Sequence, residues 1–358
     1  MLFARWDALG PQPFETVAAN VRLGSKADIT LVHGLTVLVE CQSLWSPPAH
    51  MTAAMVGRHA TAHEQVVGKQ VRTGAAAWTQ FWLEQGPGSR CLEKASAEFH
   101  RVLEDHWQFF ATAIPKGARV LDIGCGAGQV ARSLALARAD LRTVGIDYAE
   151  IPGGRDAPIQ ILSGTPMEKL PFQDASFGAA VSQFGYEYGD THEAATELAR
   201  VLAAGAPFSF LVHHSESAIL TDCRAHLAAL DDLIGERLGT LFMSGDAIAF
   251  EQEMTQLRRR HQGESIIDQA AQGLRRHIGG SELHRAQILR AVTDALAPAH
   301  VLEVALAKCR VAPGELESWL LPLREMFEIK APSVVRLGDG KPMAWKIEGI
   351  RNRESVIR

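Results

Sequence analysis

Cysteines, tyrosines and long apolar runs are all scarce in this chain, and most of these scarcities remove a class of protein. The 358 residues include five cysteines, Cys41, Cys91, Cys125, Cys223 and Cys309. They are scattered, with no C-x-x-C pair and no Cys/His spacing suited to zinc, so neither a disulfide framework nor a bound metal is expected. No stretch approaches the roughly 18 consecutive apolar residues of a membrane helix, and the N-terminal region lacks a basic start followed by an apolar segment. A cytoplasmic protein that does not engage a membrane is the expectation. An excess of positive charge is missing as well. Lys and Arg number 36 against 41 Asp and Glu, for a formal charge of -5 and a pI near 6.3, which weighs against nucleic acid as the main partner.

What is present is enough chain for a large core and an accessory region, since a protein of this length buries about three quarters of its unfolded surface. Residues 1–50 are weakly patterned and lead through Ser46-Pro47-Pro48 to Met51 and Met55. They read as a leader, with a start at Met51 or Met55 as the alternative to one at Met1. From Ala75 the pattern is helical, with Trp78, Phe81 and Trp82 at helical spacing and a stop at Gly86-Pro87-Gly88. A second helix over Lys94 to Ala113 sets Phe99, Leu103, Trp107, Phe110 and Ala113 on one side. These aromatics read as core or lid packing, with a substrate roof as the other option.

The period then changes. ARVLDIG, LRTVGID, IQILSG, FGAAVSQF and APFSFLVHH are short apolar runs separated by helical or loop stretches, which points to a parallel sheet wound with helices on both faces. Between Asp147 and Ile159 the linking segment is too short and too rich in Pro and Gly for a crossover helix. From Ser217 to about Lys330 the text is helical again and too long for a loop, so it should form a helical cap. SVVRLGDGKPMAWKIEGIR closes the chain as a hairpin turning at Gly338-Asp339-Gly340. The expected organisation is a leader (1–50), an N-terminal helical lid (51–115), a Rossmann-like core (116–214), a helical insert capping the substrate (215–330) and a terminal hairpin (331–358).

The most informative stretch is VLDIGCGAGQVARSLA, from Val120. A strand carries Asp122 near its end, passes Gly124, Gly126 and Gly128, and enters a helix. Glycines are needed where a ligand lies against bare backbone and where a turn demands positive φ. The dinucleotide fingerprint G-x-G-x-x-G would place its third glycine at 129, which is Gln129. The spacing observed, with an acid two residues before the first glycine, resembles the first motif of the class I S-adenosylmethionine-dependent methyltransferases.

Further matches follow in register with the ubiquinone/menaquinone-biosynthesis-like branch of that family, whose domain is of the methyltransferase type 11 kind. GTPMEKLPFQDASF matches at Leu170-Pro171-Phe172, Asp174, Ser176 and Phe177, while Pro166 stands where the family has an adenine-contacting acid and Gly178 replaces an acid after Ser-Phe. The run ELARVLAAGAPFSF resembles the family's E-x-x-R-V-L stretch before the fifth strand. The likeness covers residues 116–214 well, the last hairpin loosely and the helical insert not at all. It implies that S-adenosyl-L-methionine is held by Asp122, Gly124, Gly126, Gly128, Asp147, Tyr148, Met167, Glu168 and Gln183. Asp147 would take the ribose hydroxyls, Tyr148 would pack on adenine, and Gln183 and Phe184 would face the methionine end. The product would be S-adenosyl-L-homocysteine.

The resemblance implies methyl transfer by in-line displacement to O, N or C of a small-molecule acceptor, and positioning alone can contribute roughly 7–11 kcal/mol to such a step. A base is useful where the acceptor carries a proton. All three tyrosines, Tyr148, Tyr186 and Tyr188, fall beside predicted strand ends with Glu187, His213 and His214. Tyr186, Glu187, His213 and His214 are therefore the catalytic candidates, although a histidine pair after a strand also reads as hydrogen-bonded structure. Arg258-Arg259-Arg260-His261 and Arg275-Arg276-His277 read as a salt-bridged face or as an attractor of an anionic substrate. The fold expected is α/β, a doubly wound, mostly parallel seven-stranded Rossmann-like sheet with a terminal antiparallel hairpin and an α-helical cap. A non-catalytic binder of the same cofactor and an NAD(P)-dependent oxidoreductase are the alternatives. Oligomeric state is not legible.

Overall fold

The computed structural model describes residues 62–85, 95–151 and 159–353. The leader with Met51 and Met55, Cys41, Cys91, the Gly86-Pro87-Gly88 stop, most of the breaker-rich segment after Asp147 and the last five residues lie outside the described residues.

Two helices precede the sheet, α1 (Ala62–Gln85) and α2 (Ala97–Ala111). Helix α2 begins where the Ser96 hydroxyl accepts the Phe99 N–H at 3.1 Å, satisfying one orphan donor of the first turn. It buries Phe99, Leu103, Trp107 and Phe110, the face read from the sequence, against β-sheet residues such as Val120, Val181 and Leu211. Ala113 lies beyond the helix and is exposed.

The parallel part of the sheet follows in chain order as β1 (Arg119–Ile123), α3 (Gln129–Ala137), β2 (Arg142–Ile146), β3 (Gln160–Leu162), β4 (Ala179–Gln183), α4 (Thr191–Val201) and β5 (Pro207–His213). Strand β1 sits in the middle, β2 and β3 extend to one side, and the chain returns to add β4 and β5 on the other. The switch point is therefore between β1 and β4, where Asp122 pairs with Val181 on one side and with Gly145 of β2 on the other. In sheets of this kind the crevice at such a point receives ligands.

Helices α5 (Ala218–Ile234), α6 (Glu236–Ser244), α7 (Ala247–Arg260), α8 (Ser265–Arg275) and α9 (Glu282–Cys309) form the insert, and α10 (Leu316–Met326) leads back to the sheet. Although it lies in the stretch read as cap, α10 buries Leu316, Leu320 and Leu323 in the core cluster of the sheet, together with Leu198 of α4. The basic runs are ion-paired: Arg258 with Asp268, Arg260 and His261 with Asp232, and Arg275 with Glu251.

The sheet ends in β6 (Phe327–Ile329), β7 (Ser333–Arg336) and β8 (Pro342–Arg351). This makes eight strands where seven were expected. The reason is local. β8 pairs antiparallel with β5 on one flank, while β6 and β7 share the other, Phe327 opposite Arg351 and Val334 opposite Trp345. Pro332, which has no N–H to donate, falls between them and divides one strand position in two. Among the described residues, no helix is long and apolar enough to cross a membrane, and no three His, Cys, Asp or Glu side chains converge as metal ligands.

Candidate cofactor and acceptor site

The loop after β1 is shaped by close backbone approaches. Gly124 has φ +64°, and a Cβ there would lie 2.8 Å from Cα of Gly185, the residue that follows β4 by two. Gly126 has φ +49° and lies under the Trp82 indole, whose Cζ2 would be 2.3 Å from an added Cβ. Either position would reject a side chain on both counts. Gly128, also left-handed, opens α3. Trp82, with Ala127 and Ala149, forms a small apolar cluster to which Trp78 and Phe81 add their rings, so the aromatic face of α1 covers the glycine loop.

Beneath this loop Asp122 is 1% exposed. Neither carboxylate oxygen has a hydrogen-bond partner of normal geometry. Burial pushes its pKa up to about 8, the nearby Asp147 charge adds to this, and the Ala131 amide and Arg132 pull the other way. A buried carboxyl without partners costs free energy that the fold does not recover internally, which marks it as a group awaiting a ligand.

Asp147 ends β2. Its Oδ2 accepts the Gly126 N–H at 2.8 Å and its Oδ1 accepts the Ala149 N–H at 2.9 Å. Burial raises its pKa, and these two amides oppose the shift. Each oxygen keeps a lone pair, which suits a pair of hydroxyls. Tyr148 beside it is exposed.

Met167 and Glu168 sit on a loop held from two sides. Glu168 Oε1 accepts the Asp190 N–H at 2.8 Å, and Met167 packs against the sheet core. The Leu170-Pro171-Phe172 run is clamped by α4. Arg200 donates to the carbonyls of Leu170 and Phe172 and to Asp174, and Glu197, itself bound by Arg200, accepts the Leu170 N–H at 2.7 Å. The Arg200 guanidinium lowers the pKa of Glu197. Gln183 Oε1 accepts the Trp107 indole N–H at 2.7 Å, which ties the end of β4 to α2.

The catalytic candidates separate. Glu187 Oε1 accepts both the backbone N–H of His213, at 2.9 Å, and its Nδ1, at 2.7 Å. Both side chains are buried, and Glu187 Oε2 has no partner. The Phe184 and His213 rings lie 4.4 Å apart, and Tyr188 stands edge-on to His213 at 6.1 Å and to Trp78 at 5.7 Å. Tyr186 and His214 are elsewhere. Tyr186 stacks on Phe210 in the core and gives its hydroxyl to the Thr191 carbonyl at 3.1 Å, with its pKa raised by burial. His214 packs on Trp345 and accepts the Glu216 N–H through Nδ1. Alternation at the end of β5 turns His213 and His214 to opposite sides of the sheet, while Tyr186 and Glu187 diverge on the tight turn Tyr186–Tyr188.

Several contributors escaped the sequence reading. Gly185 was an unremarked glycine. Trp107 was read as packing, not as the holder of Gln183. Cys309, at the end of α9, is hydrogen-bonded by Tyr188, and burial raises its thiol pKa well above the usual value. The i,i+3 pair Glu197 and Arg200 was visible in E-x-x-R as a spacing, but its target loop was not.

Residues 121–210 match the family described as "Methyltransferase domain". These residues are a class I methyltransferase domain. A curated relative of this methyltransferase domain, the ubiquinone/menaquinone biosynthesis C-methyltransferase UbiE of Geobacter sp. (strain M21), is 31% identical over 123 residues, covering 30% of this chain and 52% of that protein. The chain thus spans about half the length of the curated relative it matches. Solved structures similar to it include a Burkholderia thailandensis 1,6-didemethyltoxoflavin-N1-methyltransferase with S-adenosylhomocysteine bound (13% identity, 84% of this chain and 94% of that one, TM-score 0.41). Another is an S-adenosylmethionine dependent methyltransferase from Mesorhizobium loti (17% identity, 72% and 99%, TM-score 0.37).

Proposed function

We propose that the protein transfers a methyl group from S-adenosyl-L-methionine to a small-molecule acceptor. The observation that carries this reading is the unpartnered Asp122 carboxyl beneath a cradle of bare backbone. S-adenosyl-L-methionine brings an ammonium and a sulfonium, and a buried carboxyl kept neutral by its surroundings can ionise against a cationic ligand. Asp147, with spare lone pairs on both oxygens, suits the ribose diol. Gly124 and Gly126, whose missing side chains would strike Gly185 and Trp82, let the loop run as bare backbone over Asp122, beside which the methionine portion is assigned. Tyr148 and the Met167-Glu168 loop are assigned to the adenine, and Gln183, fixed by Trp107, to the methionine end. When bound, this cofactor supplies a methyl group whose bond to sulfur is already activated. The chain's task is then to orient an acceptor against it and to keep water away.

Calorimetric titration of S-adenosyl-L-methionine and S-adenosyl-L-homocysteine into the wild-type protein, Asp122→Asn and Asp147→Ala tests the reading. Binding by the wild type that weakens by at least about 10-fold in each variant is expected, since each loses a charge-assisted contact. Folded wild-type protein that binds neither compound would overturn it.

A further inference from the structure

We propose that His213 is the general base of this transfer, that Glu187 positions it, and that the acceptor is an aromatic or heteroaromatic compound methylated at an acidic O–H or N–H. The inference rests on the methyltransferase reading and adds to it the class of acceptor.

Geometry assigns different roles to the two residues. Glu187 is fully buried at its side chain and grips His213 twice through one oxygen, at the backbone N–H and at Nδ1. A carboxylate on Nδ1 fixes the tautomer with the proton on that nitrogen and leaves Nε2 as the acceptor. Nε2 makes no hydrogen bond among the described residues. Glu187 thus acts through His213. Its remaining oxygen, Oε2, is buried and unpartnered, a second acceptor for which the fold provides no donor.

The dyad stands next to the glycine cradle. Gly185, two residues before Glu187, is the backbone against which Gly124 packs. Phe184, just before it, holds φ +56°, one of two non-glycine residues with positive φ among those described. Such backbone is strained and persists where the surroundings impose it. Here it lays the Phe184 ring beside His213 at 4.4 Å, while Tyr188 and Trp78 continue the chain of rings. Tyr188 and Cys309, which Tyr188 bonds, are further titratable groups at this spot. A base lined by aromatic edges and faces favours a flat, π-rich acceptor.

In the step proposed, Nε2 takes the proton from the acceptor O–H or N–H. The lone pair this frees forms the new bond to the methyl carbon, and the electron pair of the breaking carbon–sulfur bond returns to sulfur. His213 then carries the proton and releases it to solvent.

The test uses 4-nitrophenol and 4-nitroimidazole as probes, with the protein saturated in S-adenosyl-L-homocysteine so that no turnover occurs. Calorimetry of S-adenosyl-L-homocysteine comes first. Its failure would count against the cofactor reading, and its success in His213→Asn and Glu187→Gln shows that both variants are folded. The absorbance of the ionised probe is then read at a pH about one unit below its free ionisation. The wild type should raise the ionised fraction of bound probe about 5-fold or more, from the roughly 10% expected for free probe. His213→Asn should abolish the rise and Glu187→Gln should reduce it. In parallel, 15N NMR of the wild type should show His213 protonated at Nδ1 only, with both tautomers appearing in Glu187→Gln. Normal S-adenosyl-L-homocysteine binding combined with the same ionised fraction in wild type and His213→Asn would overturn the base assignment. Failure of both probes to bind would overturn the aromatic class.

Discussion

On the β1–β2 side of the switch point the pocket is made mostly of backbone: two glycines that admit no Cβ, amides of Gly126 and Ala149 on Asp147, and one buried carboxyl left over. On the β4–β5 side it is made of side chains drawn from distant parts of the chain, with Glu187 on His213 and rings from α1 and the segment after β4 around them. A backbone site leaves a trace in sequence because only glycine fits it, and the trace is local. A side-chain site assembled across long separations leaves its members among other candidates near strand ends, and which of them pair emerges only with the fold.

Breaking the boundary between the halves should have the largest effect. Gly124→Ala puts a Cβ at 2.8 Å from Gly185 and forces a left-handed residue, so it should cost about 1–3 kcal/mol of stability and disturb both sides at once. Thermal unfolding together with S-adenosyl-L-homocysteine calorimetry checks this. A stable variant with intact binding would mean that the two loops are independent.

Arg200→Ala sharpens the comparison by acting on one side only. It removes hydrogen bonds to Leu170, Phe172, Asp174 and Glu197, which should cost about 2 kcal/mol by denaturant unfolding and weaken cofactor binding through the Met167-Glu168 loop. The His213 15N signals should stay as they are. If they move, α4 reaches the acceptor side as well.

The smallest effect on the site itself should come from a part-buried histidine in neither half. His106 contacts the Ser209 hydroxyl at 3.0 Å, and burial lowers its pKa to about 4, with Glu348 opposing and Lys346 assisting. The unfolded chain binds a proton near pH 6.5 and the folded chain does not until about pH 4. Stability should therefore fall as pH drops through that window, by up to about 1.4 kcal/mol per unit. His106→Gln should flatten this slope in acid unfolding curves and leave cofactor binding unchanged.

The limits of legibility follow the same division. The parallel strands, the glycine turn and Asp147 were readable because each is a short pattern with one physical cause. Tyr186 and His214 were candidates only because they border strand ends; the turn after β4 sends Tyr186 into the core onto Phe210, and alternation after His213 sends His214 onto Trp345. Phe327–Ile329 was missed because three residues carry too little pattern to register as a strand, and Pro332 hid its continuity with β7. Trp78, Phe81 and Trp82 were visible as a helical face, but the glycine loop they cover is a partner no periodicity names.

The account stands most directly on Asp122. Burial pushes its carboxyl pKa up to about 8, so it should be protonated in the free protein at pH 7 and ionise when a cation binds against it. The decisive measurement is S-adenosyl-L-methionine calorimetry at pH 7 in buffers of different ionisation enthalpy. Release of about one proton per ligand by the wild type and of none by Asp122→Asn is the predicted result. Tight binding with no proton release by the wild type, or equal release by both proteins, would contradict it.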